Sequence, residues 1–394
     1  MTGRFERLDA YLRGCVERGE LAGWQVAVTH EDALVHRSGF GLRSLEQRAP
    51  VCEDTIWRIY SMTKPITATA ALMLWEEGAF DLADPLSAYL PEFAGARRFV
   101  ESTSHDHIAA VTEPIRVGHL FTHTAGLTFA AAAEHPVDAL YREAGLDWAG
   151  LQSLPLAIAC RRIATMPLLF GPGAAWNYSV ASDVLGRLVE VLSGQEFGAF
   201  VAERLLAPLR MNDTGFQVRP SEAGRLASLY LRDGGLTLQA AAGARILEEP
   251  TGCYGGAGLA STLDDYCRFA RMLCNGGTVE GVRLLSRATM AFATANHLPG
   301  GAELGAFGRP ILGEPFAAGI GFNLFGSVVI DPVAEKTPGT AGNYGWSGAA
   351  GSHFWVDPAQ RLTCVFMTQT MARPAHPLRR RLKQLVYQAL DDLA

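Results

Sequence analysis

Segments with the pattern of β-strands lie near both ends of this 394-residue chain, and the stretch between them has a different character. Residues 24–30 and 33–42 carry apolar and β-branched side chains around a short polar turn, which predicts a hairpin. Further strands are predicted near the other end, at residues 254–262, 319–330, 347–357 and 361–370. Strands from both ends of a chain can share one sheet, with the intervening stretch inserted as a separate lobe.

The intervening residues 81–251 are rich in Pro and Gly and carry short helical runs without sustained alternation. This arrangement predicts an α+β fold, an α/β sandwich in which helices flank a central sheet. We expect residues 1–80 and 252–394 to form the α/β domain and residues 81–251 to form a mostly helical subdomain. The flanking helices are predicted near the N-terminus and at residues 65–75, Leu263–Cys274 and 378–393.

A serine and a lysine stand three residues apart in the segment "YSMTKP". Lysine is rare in this chain: it occurs only at Lys64, Lys336 and Lys383, although Lys and Arg together number 34. Arginine stays protonated in proteins, whereas a buried lysine can lose its proton and act as a base. Residues i and i+3 share one face of a helix, so Lys64 can activate the weak nucleophile Ser61. Pro65 predicts that the pair lies at a helix start, where the N–H of Ser61 is free to stabilise an oxyanion.

A tyrosine follows a Gly-Pro-Gly loop and precedes an apolar helical pattern in the segment "GPGAAWNYSVASDVLG". A proton taken from a serine nucleophile must reach the leaving group, and a phenol close to a lysine can carry it. Tyr178 is therefore a third candidate catalytic residue. The competing interpretation is that this tyrosine only packs against its neighbours.

Five motifs in order along the chain together resemble the serine β-lactamase and penicillin-binding-protein superfamily. Within it, the chain looks most like the family VIII carboxylesterases, which are related to class C β-lactamases. The resemblance runs from the first strand to the terminal helix and implies a β-lactamase/transpeptidase-like fold with an antiparallel sheet. The motifs are "SMTK", "LFTHTAGL", "GPGAAWNYS", "YGGAGLASTLDDYCRFARML" and "GWSGAAGSHFWVD".

The resemblance implies a role for each member of the serine–lysine–tyrosine set. Ser61 corresponds to the acylated nucleophile and Lys64 to its proton acceptor. Tyr178 corresponds to the residue that is hydrogen-bonded to both and passes the proton onward. No cofactor and no metal are implied.

The resemblance also places a substrate-binding strand at Trp346, Ser347 and Gly348, where β-lactamases carry Lys-Thr-Gly and family VIII esterases carry Trp-x-Gly. The N–H of Ala349 would be the second oxyanion donor, beside that of Ser61. Small residues after Trp346 suit a close approach of backbone to ligand. Hydrophobic packing is the competing interpretation of Trp346.

Two departures from the β-lactamase pattern redirect the expected substrate. The Tyr-x-Asn motif here ends in Val180, and the strand lysine that binds a substrate carboxylate is replaced by Trp346. An uncharged, aromatic wall favours neutral, short-chain or apolar acyl esters. We therefore expect a carboxylesterase that forms an acyl-serine intermediate, with an acyltransferase or a β-lactamase/D-Ala-D-Ala peptidase as alternatives. A non-catalytic sensor of the same fold is disfavoured because the Ser-Lys-Tyr set is retained.

Other groups of candidate catalytic or metal-binding residues have weaker support in the sequence. Ser347, Asp357 and His376 have the chain order of an α/β-hydrolase triad, but the glycine pattern of its nucleophile elbow is incomplete. His123 is interpreted as a structural hydrogen-bonding residue and Lys336 as a solvated loop lysine. Metal catalysis is disfavoured because the neighbouring histidines lack helical ligand spacing. Those histidines are His105 and His107.

The composition also indicates which binding partners and which cellular compartment to expect. The net charge is −6 and the basic residues form no long run, so nucleic acid is not an expected partner. No apolar stretch is long enough to span a membrane, and no signal peptide is recognised. Seven cysteines without a CxxC pair indicate buried free thiols rather than a disulfide framework. A cytoplasmic enzyme acting on a small-molecule ester is expected.

Overall fold

The computed structural model of the protein describes residues 3–100, 108–130, 135–311, 315–372 and 378–390. Within these ranges the α-helices are α1 Glu6–Glu17, α2 Thr63–Glu76, α3 Val117–Phe121, α4 Pro136–Glu143, α5 Trp148–Leu151, α6 Leu156–Thr165, α7 Ala181–Ser193, α8 Phe197–Val201, α9 Ala240–Ala244, α10 Leu263–Cys274, α11 Arg287–Thr294, α12 Leu304–Phe307, α13 Pro332–Glu335 and α14 Leu378–Ala389. Short 3₁₀ helices occur at Tyr60–Met62, Leu86–Ala88, Pro91–Phe93, Pro220–Arg225, Arg245–Leu247 and Pro299–Gly301, and a π-helical turn at Ala202–Leu206.

The strands within the same ranges are β1 Gly23–His30, β2 Ala33–Ser44, β3 Ala49–Pro50, β4 Trp57–Arg58, β5 Arg97–Phe99, β6 Ile108–Ala110, β7 Tyr230–Arg232, β8 Leu236–Leu238, β9 Ala260–Ser261, β10 Thr278–Val279, β11 Val282–Arg283, β12 Ile320–Phe322, β13 Ser327–Val329, β14 Tyr344–Ser347, β15 His353–Asp357, β16 Leu362–Thr368 and β17 Thr370–Ala372.

Both ends of the chain build the central sheet, as predicted. Its eight strands run in the order β12-β13-β14-β15-β16-β1-β2-β3, and each neighbouring pair is antiparallel. The first strand of the chain lies beside one of the last, with Val26 opposite Phe366. The α+β fold with an antiparallel sheet is confirmed.

Helices cover both faces of this sheet. One face packs on α1 and α14 in an apolar cluster that includes Trp24, Trp355 and Leu382. The other face packs on α2 and α10 in the largest apolar cluster of the protein. Both faces of β1 are covered, so seven consecutive residues of this strand are buried instead of every second one.

The stretch predicted as a helical subdomain contains α3 to α9, and α7 packs against α2. Its described residues also form four short strands, of which β7 pairs in parallel with β17 from the C-terminal part of the chain. The largest apolar cluster continues from the sheet into these helices. The proposed boundaries at residues 81 and 251 therefore remain a prediction.

Three strand predictions near the C-terminal end were wrong in detail. Residues 254–262 form only the two-residue strand β9, which pairs with β4 outside the main sheet, because the backbone before it binds side chains of α2 and α7. Residues 319–330 form two strands joined by a tight turn in which Asn323 accepts from two backbone N–H groups. Residues 347–357 contain a turn between β14 and β15.

The terminal helix ends at Ala389, and the last residues of its predicted range lie outside those described. No helix among the described residues has both the length and the apolarity that a membrane span requires. All seven cysteines are free, and four of them are buried, but Cys52 is exposed, contrary to the expectation of buried thiols throughout.

Candidate active site

Ser61 lies in the 3₁₀ turn that leads directly into α2. Pro65 is the third residue of α2, a position at which no intrahelical N–H donor is required. Tyr60 precedes the serine with a φ of 45°, a left-handed conformation that costs a non-glycine residue on the order of 1–3 kcal/mol when the surroundings enforce it. Among the described residues nothing accepts from the N–H of Ser61. The predicted position of Ser61 at a helix start is confirmed.

The structure brings Ser61, Lys64 and Tyr178 together. The phenol of Tyr178 donates to Ser61 Oγ at 2.6 Å, and Lys64 Nζ lies 3.4 Å from the same oxygen. Lys64 Nζ also donates to the carbonyl of Gly256 at 2.6 Å and lies 4.5 Å from the centre of the Tyr178 ring. Among the described residues, the Tyr178 hydroxyl is therefore bonded to Ser61 but not to Lys64, which differs from the expectation that it is bonded to both. The hydroxyl of Ser61 thus has two neighbours that can exchange a proton with it.

His123 lies behind Tyr178 and is buried. Its ring centre is 5.2 Å from that of Tyr178, and its Nδ1 is 3.1 Å from the hydroxyl of Ser179. Burial, and secondly the positive charge of Lys64, hold the pKa of His123 well below its ordinary value. A neutral ring bonded to Ser179 fits the interpretation of His123 as a structural residue.

Trp346, on β14, forms an aromatic wall beside the serine. Its ring centre lies 5.7 Å from that of Tyr178 and 5.4 Å from that of Phe322. Trp346, Phe322, Lys64 and neighbouring side chains line a small cavity of about 10 Å³, which has room for one water molecule. The remaining lining residues are Ala68, Phe121, His123, Ser182, Leu185, Leu324 and Phe325.

The turn after β14 approaches the serine loop closely. A Cβ on Gly348 would lie 2.5 Å from the carbonyl oxygen of Ile59, two residues before Ser61, so only glycine allows this contact. Ala349 follows on the surface, and no described group accepts from its N–H. This free N–H is compatible with the predicted oxyanion donor at Ala349.

Ser347 faces the other side of the sheet. Successive residues of a strand point to opposite faces, so its side chain lies opposite that of Trp346. Its hydroxyl is 2.8 Å from Nδ1 of the buried His353. Any contribution of Ser347 to substrate binding must therefore come from its backbone.

The α/β-hydrolase alternative finds no support. Ser347 pairs with His353, whereas the carboxylate of Asp357 accepts from Thr340 and Tyr387. The third member, His376, lies outside the described residues, as do the two histidines considered for metal binding, His105 and His107.

Two residues of the site were missed in the sequence, Asp183 and Gly256. The N–H of Gly256 donates to Asp183 Oδ1 at 2.7 Å, and its carbonyl accepts from Lys64. The available signals were an acidic residue within the apolar start of α7 and the paired glycines of "YGGAG". Both residues lie within the sequence motifs given above, but no function was predicted for either of them from the sequence.

Comparison with known proteins supplies the family. The Beta-lactamase family profile matches residues 8–388, nearly the whole chain. This chain belongs to the Beta-lactamase family. Esterase EstB of Burkholderia gladioli is 32% identical over 401 residues, covering 97% of this chain and 94% of the esterase.

Two solved structures share the fold of this Beta-lactamase family member. One is described as EstCE1, a hydrolase with promiscuous acyltransferase activity; it superposes with a TM-score of 0.82 at 25% identity and covers 98% of each chain. The other, a family VIII carboxylesterase, has a TM-score of 0.73 at 21% identity, covering 99% of this chain and 98% of that one, and supports the fold alone. The resemblance inferred from the five motifs is confirmed.

Proposed function

We propose that the protein hydrolyses carboxylic esters through an acyl intermediate on Ser61. The observation that carries the proposal is the contact of Ser61 Oγ with Tyr178 at 2.6 Å and Lys64 at 3.4 Å. The similarity to Esterase EstB over nearly the full length of both chains supports the reaction class.

Acylation begins when Ser61 Oγ attacks the ester carbonyl carbon. The serine proton passes to Lys64 Nζ, which must be neutral to accept it. The oxyanion that forms is stabilised by the N–H groups of Ser61 and Ala349, which have no other acceptor among the described residues. Tyr178, whose phenol is bonded to Ser61 Oγ and whose ring lies 4.5 Å from Lys64 Nζ, delivers the proton to the departing alkoxide, so that the alcohol leaves neutral and the acyl group stays on Ser61.

Deacylation runs the same steps with water in place of the alcohol. The amine of Lys64 now takes one proton from water as the water oxygen attacks the acyl carbon. The proton then returns to Ser61 Oγ when the carboxylic acid departs. Proton transfer by one set of groups in both directions needs no cofactor and no metal.

The side chains that line the site favour an uncharged substrate. The rings of Trp346 and Phe322 stand where a β-lactamase would use a lysine to bind the carboxylate of its substrate. Val180 takes the position of the asparagine in the Tyr-x-Asn motif and is fully buried. We propose neutral esters with short or apolar acyl groups as the substrate class.

Acyl transfer to an alcohol is the second candidate function. The fold relative EstCE1 is described as a hydrolase with promiscuous acyltransferase activity, and the two reactions share the acyl-serine intermediate. They differ only in whether water or an alcohol accepts the acyl group.

An ester panel tests the proposal. p-Nitrophenyl acetate, butyrate, octanoate and dodecanoate would be assayed with and without an acceptor alcohol, together with nitrocefin. Faster turnover of short esters than of nitrocefin supports esterase function. Dominant transfer to the alcohol would favour the acyltransferase, and faster nitrocefin turnover would favour a β-lactamase.

Replacement of Tyr178 by phenylalanine is expected to lower kcat by at least about 10²-fold, the usual effect of losing a positioned proton-transfer group. The ring would still pack against Trp346 and Phe129, so little change in melting temperature is expected. A matched control is Tyr89→Phe, which removes a phenol bonded to the Asp84 carboxylate. Unchanged kcat in the Tyr178 variant would contradict the proposed role.

We also propose the reducing cytoplasm as the location of the enzyme. The seven free thiols support this assignment, since disulfides persist mainly in oxidising compartments.

A further inference from the structure

Asp183 is a buried carboxylate that the steps above do not use. It is the third residue of α7 and is only 2% exposed. Among the described residues it accepts one hydrogen bond, from the N–H of Gly256 at 2.7 Å. Removing a carboxylate from water is costly unless charges or donors compensate it, so a compensating cation is expected nearby.

Gly256 connects Asp183 to the lysine of the site. While its N–H donates to Asp183, its carbonyl accepts from Lys64 Nζ at 2.6 Å. A Cβ at this position would lie 2.8 Å and 3.0 Å from the two carboxylate oxygens. Glycine is therefore required for the backbone to enter between the carboxylate of Asp183 and Nζ of Lys64.

The titratable groups near Asp183, apart from Lys64, are either uncharged at neutral pH or already paired. Burial raises the pKa of Cys160, on α6, well above its ordinary value and also raises that of Tyr254, just before Gly256. Further along α7, Arg187 is 2.7 Å from Glu190 and is thus already paired. Among the described residues, Lys64 is the cation whose charge acts on Asp183.

We propose that Asp183 is a positioning residue that holds Lys64 through Gly256 and balances the charge that Lys64 gains on taking the proton of Ser61. The inference rests on the proposed function and deepens it. The proton moves from Ser61 Oγ to Lys64 Nζ and onward to the leaving alkoxide, while Asp183 keeps its negative charge throughout. Asp183 touches no reacting atom.

The electrostatic environment supports this role. Burial raises the pKa of Asp183 to about 6, and the charge of Lys64 and the N–H of Gly256 oppose a larger rise. The carboxylate is therefore ionised at neutral pH, when its charge favours the protonated form of Lys64. Removing that charge disfavours the ammonium, so Lys64 should lose its proton at lower pH.

The variant that tests the charge is Asp183→Asn, which keeps an oxygen acceptor for the Gly256 N–H. We expect the acidic limb of the kcat/KM profile for p-nitrophenyl butyrate to move down by about one pH unit, a tenfold change in the equilibrium. The maximal kcat should fall about tenfold because the lysine becomes a weaker base. KM should change less, since Asp183 does not contact substrate.

The matched control is Asp265→Asn. Asp265 is also buried, accepts from the Asp213 N–H and Thr214, and has its pKa raised by burial to about 6. A purely structural effect of losing a buried carboxylate would appear in both variants as a lower melting temperature. Only Asp183→Asn is expected to move the acidic limb.

The scarcity of lysine permits a direct measurement. Lysine labelled with ¹³C at Cε gives three side-chain signals, from Lys64, Lys336 and Lys383, and the first is assigned by its loss in Lys64→Arg. In the wild-type protein the Lys64 signal should show an inflection near pH 6 as Asp183 titrates. In Asp183→Asn that inflection should be absent.

An unmoved acidic limb together with a Lys64 signal that shows no inflection in the wild type would overturn the inference. The wild-type titration decides the question even if Asp183→Asn does not fold. Gly256→Ala offers a second variant, since its Cβ displaces the carboxylate, and it should move the acidic limb in the same direction. A wild-type protein without esterase activity would refute the proposed function instead, and the lysine titration would still report on the coupling.

Discussion

Replacement of Lys64 by arginine is expected to lower kcat/KM for p-nitrophenyl butyrate by about 10³-fold or more. Arginine stays protonated in proteins, so the substitution keeps a long basic side chain and removes its ability to exchange a proton. A guanidinium cannot accept the proton of Ser61 at any pH at which the protein is folded. Lys64 is buried and donates to the Gly256 carbonyl, and the larger guanidinium would have to fit into the same space.

The other two lysines provide matched controls for this experiment. Lys336 is exposed in the turn after α13, in agreement with its interpretation as a solvated loop residue, and Lys383 pairs with Glu335 at 3.0 Å. Lys336→Arg and Lys383→Arg should retain wild-type kcat/KM. Full activity in Lys64→Arg would refute the role of Lys64 as a titrating base.

Replacement of Ser61 by alanine should remove hydrolysis altogether, a loss of about 10⁴-fold or more by comparison with other serine nucleophiles. The variant should also fail to react with a fluorophosphonate probe, which labels an activated serine covalently. Mass spectrometry of the intact protein would detect the adduct in the wild type and its absence in the variant. The alanine removes one oxygen at a helix start, so the melting temperature should change little.

Ser347→Ala is the control for the labelling experiment. Ser347 lies on β14 beside Trp346, but its hydroxyl contacts His353 on the opposite face of the sheet. The variant should keep both labelling and hydrolysis. If Ser61→Ala still forms the probe adduct, the nucleophile is a residue other than Ser61. If the wild-type protein forms no adduct, a non-catalytic binding protein is favoured.

Much of the site could be predicted from local patterns. Ser61 and Lys64 are three residues apart, so helical geometry alone places them on one face, and Pro65 places that face at the helix start. Tyr178 was recognisable because five ordered motifs together carry the family resemblance. The hairpin of β1 and β2 and the exact bounds of α10 also followed from short-range periodicity and a capping threonine, Thr262.

The errors concern segments whose backbone groups bind partners distant in sequence. Residues 254–262 have the composition of a strand, yet the backbone of Gly256 binds Asp183 and Lys64, which lie 73 and 192 positions away. The orientation of Ser347 depends on the register of β14 against β15, where it stands opposite His353. Neither relationship is visible in the local pattern of side chains.

The sequence by itself determined the strands at both chain ends and the family, and it predicted Ser61 and Lys64 as nucleophile and base, because each depends on residues close together or on motifs in a characteristic order. Only the tertiary structure decided what surrounds Lys64. The buried carboxylate of Asp183 and the two backbone groups of Gly256 meet the lysine because α2, α7 and the loop before β9 converge there. Electrostatic interactions depend on distance and burial, and both are set by packing between segments that the linear sequence keeps apart.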